Sequence, residues 1–126
     1  MSTILIVDDE QSMRDFLAIM LRKEGHEVVT VEDGDEAIKA VEGDIYDLVI
    51  TDIKMPGIDG LQVLRSVKRV SPSTLVIVIT AYSSTEDAVF AIKQGALDYI
   101  TKPFEIEKIK LVIKKALDRK KLHEEY

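Results

Sequence analysis

Residues 3–10 read Thr3-Ile4-Leu5-Ile6-Val7-Asp8-Asp9-Glu10, an unbroken aliphatic run that stops on three acids. A strand covered on one face alternates apolar with polar residues; one covered on both faces reads as continuous Ile, Leu and Val. The acids cannot follow the strand into the interior, so they are left at the edge of the sheet. The pattern returns at Leu48-Val49-Ile50-Thr51 before Asp52, and again at Leu75–Thr80. Shorter candidates lie at residues 28–31 and 98–100.

Helical patterns fill the gaps. Met13, Phe16, Leu17, Met20 and Leu21 recur at i, i+3, i+4, i+7 and i+8, one apolar stripe. Gly25, Gly43 and Gly95 are each placed as the residue just past a helix end. A third helix is expected over about residues 61–70, stopping before Pro72. On a helix from Ser84, Ala88, Ala91 and Ile92 form the core face, with Phe90 nearly opposite. Ile106, Ile109, Ile113, Ala116 and Leu117 give a last helix its core stripe, opposed by Leu111 and Leu122. Five β-α repeats predict an α/β fold, a doubly wound five-stranded parallel sheet with helices on both faces. Its working crevice lies at the carboxyl ends of the strands.

The totals fit one domain. The chain has 126 residues, 46% apolar and 32% charged, and no cysteine, so neither disulfides nor thiolate metal sites arise. The start lacks a basic n-region and meets acids by residue 8, which argues against a signal peptide or a membrane span and fits a cytoplasmic protein. Residues 1–101 carry 9 Lys+Arg against 18 Asp+Glu, a net of −9; residues 102–126 carry 8 against 5, a net of +3. An acidic body argues against direct nucleic-acid contact, and the basic tail reads as a solvated helix face.

Asp8, Asp9 and Asp52 end neighbouring strands, and Lys102, before Pro103, is the one obvious cation placed to meet them. Asp8 could instead cap the first helix in a box with Gln11, and Asp52 could open a turn toward Pro56-Gly57. Capping needs one acid, however, and here there are three in a row. Gathered acids repel by about 4 kcal/mol at ~4 Å and an effective dielectric near 20. A hard cation relieves that, and oxygen-only ligands point to Mg²⁺. Acids, Mg²⁺ and one lysine suit phosphoryl transfer. His26 and His123 have no matching partners and read as inert.

The chain resembles the receiver domain of two-component response regulators over residues 1–121. The resemblance rests on Ile6-Val7-Asp8-Asp9-Glu10, Asp52-Ile53-Lys54-Met55-Pro56-Gly57 with Asp59-Gly60, Thr80-Ala81, Gly95-Ala96 before Asp98-Tyr99, and Lys102-Pro103-Phe104. It implies the strand order 2-1-3-4-5 and a cis Lys102-Pro103 bond. It implies Asp52 as phosphoacceptor from a sensor histidine kinase. Asp9, Asp52 and the Lys54 carbonyl would hold Mg²⁺, with Asp8 acting mostly through water. Lys102 and Thr80 would contact the phosphoryl oxygens, and Thr80 and Tyr99 would form a switch. Lys54 and Tyr82 would tune the phosphoryl lifetime toward slow loss. Phe90, Tyr99 and Leu111 would line an output surface on the last two helices and last strand, used for phosphorylation-dependent dimerisation. Such a domain is no enzyme beyond its own phosphorylation and dephosphorylation.

The uncapped, charged end of the last helix, with residues 122–126 read as a linker or tail, resembles the linker of sigma-54-dependent transcriptional activators, with the output domain beyond this chain. A stand-alone phosphorelay receiver is the alternative. A haloacid-dehalogenase-type phosphatase also uses a strand-end Asp and Mg²⁺, but needs a second acid two residues on, where this chain has Lys54.

Overall fold

The structure, a computed structural model, describes residues 2–81 and 84–125, with side chains through residue 120. Strands β1 (Thr3–Val7), β2 (Glu27–Val31), β3 (Leu48–Thr51), β4 (Leu75–Thr80) and β5 (Asp98–Thr101) alternate with helices α1 (Gln11–Lys23), α2 (Gly34–Gly43), α3 (Gly60–Val70), α4 (Thr85–Lys93) and α5 (Ile106–Glu125). The strands are all parallel, in the order β2-β1-β3-β4-β5. The chain leaves β1 toward β2 on one side, then returns to lay β3 on the other. The point where the winding reverses is therefore between β1 and β3, where doubly wound sheets open their crevice. Val7 pairs with Thr51 across that boundary, so Asp8 and Asp52 emerge side by side.

Alternation along each strand divides the core in two. Ile4, Ile6, Leu48, Ile50, Ile77 and Ile79 face α1 and α5, where Leu17, Leu21, Ile109 and Ile113 meet them. Leu5, Val7, Val49, Val76 and Val78 face the other helices through Ala37, Val41, Val63, Leu64, Val67 and Ala91. Both faces of the central strands are covered, which is why their sequences do not alternate.

Three local expectations need correction. Gly25 (φ 92°) and Gly95 (φ 104°) do end their helices in the left-handed region, but Gly43 is the last residue inside α2. The chain leaves through an extended Asp44, so no glycine is needed there. Ile92 is 49% exposed rather than core: α4 sits close to the sheet through small Ala91, and the next residue turns about 100° away around the helix. Ile106 is exposed as well, since it opens α5 a turn ahead of Ile109, which is fully buried. Phe90 and Leu111 face outward as expected. The side chain of Leu122 lies outside the described residues.

Candidate functional site

Asp8 and Asp52 are buried carboxylates at the ends of adjacent central strands. Asp8 does not cap α1. The N-cap is Glu10, which makes no side-chain cap bond, whereas Asp8 Oδ1 accepts from the Glu10 amide at 2.9 Å. Asp52 Oδ1 accepts from the Ile53 amide at 2.6 Å. The second oxygen of each acid accepts from the same ammonium: Lys102 Nζ is 3.0 Å from Asp8 Oδ2 and 3.0 Å from Asp52 Oδ2. Lys102 comes from the far side of β4. Its amide donates to the Thr80 carbonyl at 2.8 Å, tying the ends of β4 and β5, and the bond to Pro103 is cis.

Two residues joined this group that spacing did not reveal. Glu10 Oε1 lies 3.6 Å from Lys102 Nζ; the acid run from Asp8 was the available clue, but a long side chain's reach is invisible in sequence. Lys102 is also not the sole cation nearby. Arg14 Nη1 donates to the Asp8 carbonyl at 2.7 Å, and Nη2 lies 3.9 Å from Glu32.

The electrostatics follow from burial. Loss of water raises the Asp8 carboxyl above its ordinary 3.8, and Asp52 adds to that, against the Glu10 amide and Lys102. Burial alone would lower the Lys102 ammonium, but Asp52 and Asp8 outweigh it and hold it above 10.5. Lys102 therefore stays charged at any physiological pH.

One oxygen each from Asp8, Glu10 and Asp52 lies within 4.8 Å of the others. Hard, all-oxygen donors in that spacing suit Mg²⁺ rather than a softer metal. Asp9 is exposed and outside this group. Lys54 is exposed two residues past Asp52, and Tyr82 lies outside the described residues. Thr80 is fully buried at the end of β4. Tyr99 on β5 is half-buried. Burial raises its phenol, against a hydrogen bond from the Ser84 backbone at the start of α4, with Asp87 and Asp52 adding to the rise.

The sequence profile of the response regulator receiver domain matches residues 4–123, and the chain belongs to that family. It is 40% identical over 121 residues to the transcriptional regulatory protein ZraR of Klebsiella oxytoca, covering 96% of this chain and 27% of that protein. A CheY-like receiver domain protein from Methanospirillum hungatei JF-1 superposes with a TM-score of 0.94 at 32% identity, covering 98% of each chain. The response regulator TrrA from Thermotoga maritima, solved in complex with Mg²⁺ and BeF, gives 0.83 at 39% identity over 92% of this chain and 99% of that one. The chain thus spans about a quarter of the length of ZraR. No helix among the described residues is long and apolar enough to cross a membrane.

Proposed function

We propose that this receiver domain takes a phosphoryl group onto Asp52 from a phosphohistidine of a sensor histidine kinase. The observation that carries this is the Lys102 ammonium held 3.0 Å from both buried acids at the reversal point of the sheet. An Asp52 carboxylate oxygen attacks phosphorus, the P–N bond breaks, and its electron pair stays with the imidazole. Charge spreads over the phosphoryl oxygens in a loose transition state. Lys102, kept protonated by the two acids, would meet one of those oxygens, and the Thr80 hydroxyl would meet another. A bound Mg²⁺ would be held by Asp8, Glu10 and Asp52, one oxygen of each lying within 4.8 Å of the others, with Asp9 and the Lys54 carbonyl as further proposed ligands; it would supply charge neutralisation for the acids and the phosphoryl oxygens. The Mg²⁺-bearing TrrA structure supports that choice of ion.

Thr80 is the proposed trigger. Drawn toward the phosphoryl group, it vacates space at the end of β4 into which Tyr99 turns, leaving the Ser84 backbone. This is a population shift between two packings. Its readout is the α4-β5-α5 face, where Phe90 is 39% and Leu111 52% exposed, and we assign phosphorylation-dependent homodimerisation to it. In a longer protein like ZraR the outcome would be control of transcription, exerted without nucleic-acid contact by this acidic domain and in the cytoplasm. The chain catalyses only its own phosphorylation and dephosphorylation; Lys54 and Tyr82 are proposed to slow the latter.

The test is incubation with acetyl phosphate and Mg²⁺. One acid-stable, alkali-labile phosphoryl adduct per chain, mapped to Asp52 and lost in Asp52→Ala, is expected. Label retained by Asp52→Ala would overturn the reading. In sedimentation, phosphorylation should drive dimer formation in the native chain and not in Phe90→Gln/Leu111→Gln.

A further inference from the structure

Thr51, the residue before Asp52, is fully buried at the end of an aliphatic strand. Its hydroxyl donates to the Asp52 carbonyl oxygen at 2.9 Å. From the other side, Gly60 at the start of α3 closes on the same peptide. A Cβ there would overlap the Asp52 carbonyl oxygen, lie 2.7 Å from its carbon and 2.8 Å from Ile53 Cα. The Gly60 amide donates to the Ile53 carbonyl at 2.8 Å. Helix α3 therefore begins in direct contact with the Asp52–Ile53 peptide, and only a residue without a side chain fits.

The peptide unit is planar, so its C=O and N–H cannot turn independently. Whatever fixes the Asp52 carbonyl also fixes the Ile53 N–H. That N–H is the donor at 2.6 Å to Asp52 Oδ1. The other carboxylate oxygen is held by Lys102. We infer that Thr51 and Gly60 are positioning residues for the nucleophile: they lock the Asp52–Ile53 peptide, and through its N–H they set the rotation of the Asp52 carboxylate. This rests on the phosphoacceptor role given above to Asp52 and adds to it the device that aims the attacking group. Neither residue touches the phosphoryl group, so both act through Asp52. The structural alternative is that the Thr51 hydroxyl only satisfies a buried carbonyl and that Gly60 only lets a helix pack.

The two are separated by Thr51→Val, which keeps shape and removes the hydroxyl, and Thr51→Ser, which restores it. Gly60→Ala has the larger expected effect but can fail to fold, so Thr51 carries the test. With acetyl phosphate and Mg²⁺, Thr51→Val should lower the maximal phosphorylation rate by about tenfold or more, the scale of a misaimed reacting group. Its half-saturating donor concentration should stay unchanged, and Thr51→Ser should recover most of the rate. In the unphosphorylated protein, the Ile53 amide proton should move upfield in Thr51→Val and not in Thr51→Ser. A folded Thr51→Val with a native Ile53 shift and a native maximal rate would overturn the inference. The amide readout needs no phosphorylation. An Ile53 shift that moves while the native chain takes up no label would uphold the brace and overturn the phosphoacceptor reading alone.

Discussion

Among the described residues, two groups of three carboxylates come close enough to share an ion: Asp8, Glu10 and Asp52, and Glu32, Asp33 and Glu36. Both follow strands, β1 and β3 for the first, β2 for the second. They differ in what surrounds them. In the first group, Asp8 and Asp52 are 3% and 5% exposed and share the half-buried Lys102. In the second, Glu32 and Glu36 are solvent-exposed, and Asp33 does an ordinary task, capping α2 by accepting from the Glu36 amide at 2.9 Å. The second group is what a cluster of acids usually means. Composition alone does not separate them. The position in the sheet does, because β2 is an edge strand and β1 and β3 flank the reversal point.

The largest effect should follow from removing the cation of the buried group. Lys102→Met leaves two carboxylates without their ammonium, and breaking a buried pair from one side costs about 3–5 kcal/mol. Urea unfolding without divalent ions should show that loss, and Mg²⁺ should return part of it. A change below about 1 kcal/mol would mean the acids are better hydrated than their burial implies. Removing an acid should act the other way. Asp8, Asp52 and Lys102 together carry one net negative charge, so Asp8→Asn leaves a neutral pair. It should stabilise the metal-free protein at neutral pH on the order of 1 kcal/mol, seen as a higher melting temperature, while weakening its response to Mg²⁺. The pH dependence has a definite sign. The folded-state pKa of Asp8 is raised, so the folded state holds that proton more tightly than the unfolded chain. The stability this contributes is fully present below 3.8 and is lost as pH rises through the raised folded value. Asp8→Asn should lack that decline in melting temperature between those two values.

The first difference between the groups was legible from the chain, and the finer ones were not. The continuous apolar runs that end at Val7 and Thr51 located the buried strands, and the acids after them marked the crevice. Nothing in a periodic pattern says how deep a helix face sits, which is why Ile92 and Ile106 were assigned to the core and are exposed. Adjacent acids look alike on paper, yet backbone direction buries Asp8 and turns Asp9 outward, and Glu10 reaches the site only because its side chain is long. Thr51 closes the Leu48-Val49-Ile50-Thr51 run with nothing in the sequence to single it out; a hydroxyl aimed along its own backbone leaves no trace in spacing.

In the exposed group, Asp33→Ala should cost about 1 kcal/mol, the ordinary value of a helix cap, and leave Asp52 phosphorylation unchanged. Glu32→Gln should do least, within about 0.5 kcal/mol by thermal melting, since its 3.9 Å pair with Arg14 is solvated on the glutamate side. It is nonetheless the sharpest probe of whether the groups are independent. Arg14 touches both, holding the Asp8 carbonyl with one nitrogen and facing Glu32 with the other. If Arg14 is anchored by the carbonyl, releasing Glu32 changes neither Mg²⁺ affinity nor the rate of Asp52 labelling. If Glu32→Gln shifts either by threefold or more, about 0.65 kcal/mol by RT ln 3, the guanidinium carries charge information from the edge strand into the crevice, and the two groups are one electrostatic unit.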